Sequence, residues 1–166
     1  MALPAAVEEA EPDFAHHEDA TLPVIEDHGV RMRVIAGSMY GQRSPVPTFS
    51  ETIYADAALS PGARLPVDPS HEERAVYVAE GEVQIAGDRF AGGRLLVFRP
   101  GDAVQVVATT DARVLVLGGE PLDGPRHIWW NFVSSRKERI EHAKADWRAG
   151  RFDAVPGDIE FIPLPD

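Results

Sequence analysis

The stretch GARLPVDPSHEERAVYVAEG, residues 62–81, begins and ends on glycine and contains two short apolar segments separated by a polar loop. The apolar segment at 75–78 predicts a β-strand. Outside the stretch, Val30, Met32 and Val34 alternate with Arg31 and Arg33, which is typical of a β-strand with one buried face. Similar segments lie on both sides of the stretch, with glycine or proline turns between them roughly every 8–12 residues. The pattern predicts an antiparallel sandwich or barrel. Because no strand–helix–strand rhythm is present, a parallel sheet is not expected.

Along the chain, short apolar segments between turn residues predict a series of short strands. Glu80 and Gly81 separate two of them and predict a hairpin. The predicted strands lie at 30–35, 52–55, 75–78, 82–85, 94–98, 103–107 and 113–117. The fold class that follows is mainly β.

One amphipathic helix is predicted near the C-terminus, at about 135–149. Ser135 and Glu138 have the spacing of a capping box, and Gly150 stands where a C-terminal cap belongs. Three prolines in 155–165 predict an extended tail after the helix. The residues that share the apolar face of the helix are Ile140, Ala143 and Trp147.

The composition excludes several classes of function. The chain carries 27 acidic and 16 basic side chains, a net charge of −11, so direct nucleic-acid binding and binding to anionic membranes are not expected. The chain has no cysteine, which excludes disulfides, thiolate catalysis and cysteine-ligated zinc. No apolar run reaches the roughly 18 residues of a membrane-spanning helix. Residues 1–14 lack the features of a signal peptide, so we expect a cytoplasmic protein.

The sequence divides into three parts. Residues 1–21 form an acidic arm with few apolar anchors, 22–120 hold the predicted barrel, and 121–166 hold the helix and the tail. His16 and His17 lie in the arm, where a histidine pair is expected to be a solvated surface feature.

Two glycine-framed motifs carry the interpretation of the barrel. Five residues separate Gly62 from Asp68, and Ser70, Arg74 and Gly81 follow; Gly93 precedes Pro100, Gly101 and Val104. This spacing resembles the two motifs of the cupin superfamily, and the resemblance implies a single jelly-roll barrel. It also implies that the positions of the family's His, His, Glu and His metal ligands are those of Asp68, Ser70, Arg74 and Val104.

These four residues do not make the family's usual metal site. Valine offers no donor atom, and arginine brings a fixed positive charge to a position where a cation would bind. We therefore expect no cofactor and treat the four residues as candidates for lining the barrel cavity, with Asp68 and Arg74 in a salt bridge. A shift of one residue offers His71, Glu72 and Glu73 as an alternative iron site, although the favoured interpretation of these three is a solvated loop.

The C-terminal part carries a more specific resemblance. The segments GPRHIWWNFVSS (124–135), ERIE (138–141) and DWRAGRF (146–152) resemble the C-terminal segment of bacterial pirins, and 33–46 resemble the start of the second pirin barrel. Pirins are two-barrel cupins, and in the family the metal usually lies in the N-terminal barrel. The chain thus resembles the C-terminal cupin domain, and its acidic arm resembles the connector between the barrels. A truncated pirin, an expressed fragment and a natural single-domain relative all remain open.

The expected function is that of a non-catalytic structural or interaction module. A cupin barrel without its mate would expose an apolar face, so we expect a homodimer or association with a separate cupin barrel. One alternative is a metal-dependent oxidoreductase resembling quercetin 2,3-dioxygenase, with His71, Glu72 and the His16–His17 pair as ligands. Another is metal-free binding of a small molecule in the barrel cavity. The aromatic residues of 129–132 are expected to pack, with Trp129 and Trp130 on opposite faces of a strand.

Overall fold

The computed structural model describes residues 2–154, 156–157 and 160–165. The chain divides into two compact units, a barrel unit formed by Pro12–Pro121 and a C-terminal unit formed by Leu122–Asp166 together with Met1–Glu11. The predicted acidic arm is therefore shared between the two units. Among the described residues, no helix is both long and apolar enough to cross a membrane.

The barrel unit is built from eleven described strands, all paired antiparallel. The strands are β1 (Val24–Asp27), β2 (Val30–Met39), β3 (Gln42–Arg43), β4 (Thr52–Leu59), β5 (Arg64–Val67), β6 (Glu73–Glu80), β7 (Glu82–Ile85), β8 (Asp88–Ala91), β9 (Arg94–Phe98), β10 (Val104–Ala108) and β11 (Ala112–Gly119). The first sheet has the order β1-β2-β4-β11-β6-β9, with β3 added to β2, and the second sheet has the order β5-β10-β7-β8.

The inward faces of both sheets form one hydrophobic core. Met32 and Val34 of β2 are fully buried, as their alternation with arginine predicts. Val67 and Val106 contribute the same kind of contact from the second sheet. The mainly β jelly-roll architecture is thus confirmed, and its apolar alternation is the physical reason that it forms.

The hairpin predicted at Glu80–Gly81 is wrong. β6 pairs with β11 and β9, whereas β7 pairs with β10 and β8, so Gly81 carries the chain from one sheet to the other. Its φ of +74° is one that side chains rarely adopt, and a Cβ there would lie 2.1 Å from the Asp111 carbonyl oxygen. The tight turns are elsewhere: Tyr40–Gly41 joins β2 to β3, and Ala86–Gly87 joins β7 to β8.

The C-terminal unit contains a short hairpin and the helix. β12 (His127–Trp129) pairs with β13 (Phe132–Ser134), and α1 covers Lys137–Arg148, inside the predicted 135–149. The predicted cap at Gly150 is confirmed, because its φ is +63° and its N–H donates to the Trp147 carbonyl. Residues 160–165 have no regular secondary structure. Four residues of the predicted C-terminal segment, Val155, Asp158, Ile159 and Asp166, lie outside the described residues.

We predict that the two glycines framing the first motif differ strongly in their tolerance of a side chain. Gly62 and Gly81 have similar positive φ values, but nothing lies near a Cβ at Gly62. Gly62→Ala is therefore expected to cost only the backbone strain, about 1–2 kcal/mol. Gly81→Ala adds a steric clash with Asp111 and is expected to cost about 3 kcal/mol or more. Urea unfolding followed by circular dichroism measures both variants, and equal losses would contradict the sheet-crossing role of Gly81.

Candidate functional site

Arg74 is the central residue of the motif positions and lies buried in β6, with 1% of its surface exposed. Its Nη1 donates to the Asp102 carbonyl at 2.9 Å, and its Nη2 donates to the Arg99 carbonyl at 2.8 Å. Nη1 also lies 3.5 Å from the carbonyl oxygens of Val67 and Asp68. The guanidinium is thus held by backbone carbonyls from two separate parts of the chain.

The strand pairing explains why these carbonyls converge. The first motif loop, residues 68–72, follows β5, and the second motif loop, residues 99–103, precedes β10. Val67 and Val104 are register partners of β5 and β10, which sets the two loops side by side. Arg74 is the register partner of Phe98 on β9, directly before the second loop. The strand pairing therefore brings the two motif loops together around Arg74.

The predicted salt bridge between Asp68 and Arg74 is wrong. The Asp68 carboxylate accepts a hydrogen bond from the Ser70 N–H at 2.8 Å, a local turn that directs the carboxylate along its own loop. This hydrogen bond is the main reason that the pKa of Asp68 lies below its ordinary value, and the charges of His71 and Arg74 lower it further. Arg74 contacts the Asp68 backbone carbonyl instead, because a guanidinium can satisfy several carbonyl acceptors at once.

The alternative metal residues do not come together. Glu72 and Glu73 are exposed, as the solvated-loop interpretation predicts. His71 differs from that interpretation: its side chain is only 12% exposed, and its Nδ1 lies 3.9 Å from a carboxylate oxygen of Glu51. Within the described ranges, no group of three or more His, Asp or Glu side chains is arranged to hold a metal ion.

The residues at the motif positions do not fit the metal ion that the cupin motif implies. The positive guanidinium of Arg74 takes the place of an anionic ligand, and both of its terminal nitrogens already donate to carbonyls. Val104 lines a cavity of about 580 Å³ with Gln84 and Phe98 but has no donor atom. A larger cavity of about 820 Å³, lined by 26–31, 58–60 and 111–113 with Glu80, contains none of the motif positions.

Tyr40 is a contributor to this region that the sequence did not reveal. Its hydroxyl donates to the carbonyl of Pro66 in β5, next to the first motif loop. Burial raises the pKa of Tyr40 to about 12, and the negative charge of Asp68 acts in the same direction. Tyr40 and Pro66 are 26 residues apart, so no local sequence pattern indicates this contact.

In the C-terminal unit, the acidic arm is bound by hydrogen bonds. The Glu8 side chain is 9% exposed, and its carboxylate accepts from the Ser135 N–H at 2.9 Å and from the Ser135 hydroxyl at 2.8 Å. The predicted capping box is therefore wrong, since α1 begins after Arg136 without a side-chain cap. The arm supplies an acidic group to the start of the helix, where the helix dipole favours negative charge.

A second contact holds the arm through Arg126. Its side chain is 5% exposed and donates to the Leu3 carbonyl at 2.8 and 3.1 Å and to the Asp123 carboxylate. Arg126 is thus bonded to groups of the chain itself. Both contacts show that residues 2–11 are part of this unit.

The aromatic residues form one cluster in the C-terminal unit. The expected alternation of Trp129 and Trp130 is wrong, because Trp130 has a φ of +49° and begins the turn of the hairpin. Trp129 is then the register partner of Phe132, and the two rings stack with centroids 6.2 Å apart. The expectation that these residues pack is confirmed by the ring contacts, which join Trp129, Trp130, Phe132, Trp147, Phe152 and Phe161.

The two-sheet jelly roll and its paired motif loops define a cupin domain. The family model of the pirin C-terminal cupin domain matches residues 54–153. The chain therefore belongs to the pirin family of the cupin superfamily.

Named relatives agree with this assignment. A pirin-like protein of Caulobacter vibrioides is 46% identical over 168 residues, which cover 100% of this chain and 58% of that protein. Pirin-1 of Arabidopsis thaliana is 29% identical over 154 residues, covering 88% of this chain and 54% of that protein. A crystal structure of quercetin 2,3-dioxygenase from Acinetobacter baumannii has a TM-score of 0.89 and 26% identity, covering 100% of this chain and 56% of that one. The chain spans a little more than half the length of these relatives.

We predict that removing the Arg74 charge destabilises the barrel unit far more than removing a surface arginine. Arg74→Met leaves buried carbonyls without donors and is expected to cost about 3–5 kcal/mol. Arg113→Met is the matched control, because Arg113 pairs with Asp56 but its side chain is 54% exposed. Its loss is expected to be small. Urea unfolding followed by circular dichroism compares the two, and equal losses would contradict the role assigned to Arg74.

We also predict a pH dependence that comes from Glu8. Its hydrogen bonds from Ser135 hold the pKa of Glu8 below its ordinary value of 4.5. The ionised carboxylate therefore stabilises the C-terminal unit above that value, and the contribution is lost as the pH falls through the lowered pKa of the folded state. Glu8→Gln is expected to lower the urea midpoint at neutral pH and to flatten its decline on acidification.

Tryptophan fluorescence measures this change selectively, because all three tryptophans of the chain lie in the C-terminal unit. Glu11→Gln is the control, since Glu11 is an exposed carboxylate in the same arm. The assignment fails if Glu8→Gln and Glu11→Gln follow the same pH profile.

Proposed function

We propose that this domain is a non-catalytic cupin module that acts by associating with a second cupin barrel, its own copy in the purified protein. The observation that carries the proposal is the Arg74 guanidinium, which is buried between the two motif loops and donates to carbonyls of both. A buried cation at this position disfavours a metal ion beside it, since two like charges would share one desolvated site.

Association with a second cupin barrel is supported by other observations. The chain spans a little more than half the length of its relatives. Large apolar side chains are exposed on the barrel unit, with Leu95 at 56% and Val97 at 75%. Exposed apolar groups of this kind mark interaction sites when they cluster. The absence of cysteine is consistent with the cytoplasm, where we place the protein.

The metal content of the purified protein tests the non-catalytic half. Protein prepared without a chelator or a metal-affinity column, then incubated with iron, nickel or manganese and desalted, is expected to hold far less than one metal atom per chain by elemental mass spectrometry. The matched control carries Asp68→His, Ser70→His, Arg74→Glu and Val104→His, which restores the donor types of the motif. This variant is expected to gain metal. Because it also lacks the Arg74 guanidinium, circular dichroism with metal present is used to show that it keeps the barrel fold.

Near-stoichiometric metal in the unmodified protein would contradict the proposal. Quercetin 2,3-dioxygenase activity, for which the Acinetobacter baumannii protein is named, would then become the leading alternative for this chain. Oxygen uptake with quercetin, and its loss in His71→Ala, would identify that activity. A metal-free wild-type protein that consumes no oxygen with quercetin supports the module.

A further inference from the structure

The edges of the two sheets in the barrel unit differ in how they are protected. A sheet edge carries unpaired backbone groups, and proteins usually guard it with charges, proline or irregular geometry. The first sheet ends at β1 and β9, and the second ends at β5 and β8. Three of these four edge strands contain charged residues or proline, which hinder the addition of another strand: Glu26 and Asp27 in β1, Pro66 in β5, and Asp88 with Arg89 in β8.

β9 is the exception among these described edges. Its sequence is Arg94-Leu95-Leu96-Val97-Phe98, with a single charge at its first residue and no proline. It pairs with β6 on one side without a register shift, so its other side is a regular edge. No backbone hydrogen bond from elsewhere in the described part of the chain reaches residues 94–98. An apolar, regular and unguarded edge strand is one that accepts another strand.

The side chains of β9 reinforce this property. Leu96 and Phe98 pack against the core, so the outward positions of the strand are Leu95 and Val97. The neighbouring outward positions on β6 are Tyr77, the register partner of Leu95, and Ala75, the register partner of Val97. The apolar surface therefore continues from the edge into the outer face of the sheet, where a strand added to β9 would extend it.

We propose that β9 is the self-association edge of the protein, at which the β9 strands of two copies pair antiparallel. This inference rests on the association half of the proposed function and names its surface. An antiparallel pair of identical strands is self-complementary about a two-fold axis, so each copy satisfies the edge of the other. The net charge of −11 opposes contact between copies over much of the surface, whereas β9 carries no acidic residue. A second copy can meet this edge without placing two carboxylates opposite each other.

Substitution of Val97 tests the edge directly. The unmodified chain is expected to sediment as a dimer in analytical ultracentrifugation across a wide range of concentration. Val97→Lys places two like charges across the two-fold axis and is expected to raise the dimer dissociation constant by about 100-fold. Val97→Glu is expected to do the same. An equimolar mixture of the two variants should regain the dimer, because long side chains on diagonal positions can reach each other across paired strands.

Ile128→Lys is the matched control. Ile128 is a β-branched strand residue in the C-terminal unit that is exposed to 72%, close to the 75% of Val97. This variant is expected to remain a dimer. Circular dichroism and thermal melting show whether each variant keeps its fold.

The outcomes separate this inference from the proposed function. A monomeric wild-type protein at every concentration would overturn both the edge and self-association. A dimer that resists Val97→Lys would overturn the edge alone, and dissociation by Ile128→Lys would then place the interface on the C-terminal unit. Loss of the dimer in both Val97 variants without recovery in their mixture would also contradict direct pairing of the β9 strands.

Discussion

The arrangement of the two motif loops depends on one buried positive charge. Arg74 is 1% exposed, and its guanidinium is bonded to the carbonyl just before the first loop, to one carbonyl within that loop and to two carbonyls within the second loop. A buried charge is tolerated only when surrounding dipoles replace the water that it loses. The carbonyls supply these dipoles here, so the guanidinium orders the loops through the backbone. Because Arg74 bonds to the Asp68 carbonyl and not to its carboxylate, the carboxylate accepts a hydrogen bond from Ser70 in its own loop.

The C-terminal unit uses the same physical principle with the charges reversed. Glu8, an acidic group with little exposure, is held by the N–H and hydroxyl of Ser135 just before the helix. Arg126 fixes the arm a few residues earlier through the Leu3 carbonyl. The sequence predicts a solvated arm, but Leu3 and Glu8 belong to a packed unit, because their hydrogen-bond partners Arg126 and Ser135 lie more than 100 residues away.

The sequence predicted the fold class, the helix and its glycine cap because these depend on local periodicity and local conformation. That the two motif loops lie side by side follows from the register of β5 with β10, which pairs Val67 with Val104. The sequence failed at Gly81, where only the pairing of β6 and β7 with different sheets separates a crossing from a hairpin. The sequence also failed to predict the partners of Asp68 and Ser135. Asp68 bonds to Ser70 and not to Arg74, and Ser135 bonds to Glu8 and does not cap the helix, because spacing along the chain does not define distances in the fold. The sequence predicts a solvated His71 and does not reveal its contact with Glu51, because Glu51 lies 20 residues earlier in the chain.

The central claim is that Arg74, and not a metal ion, occupies the meeting point of the two motif loops. The most direct measurement is a titration of the ¹⁵N-labelled protein with manganese(II), followed by the amide resonances in a ¹H–¹⁵N spectrum. Our account predicts no selective broadening for residues 68–74 or 99–104, whatever weak effects the acidic surface shows elsewhere. Selective broadening of these two groups at substoichiometric manganese would place a cation between the loops and would contradict the account.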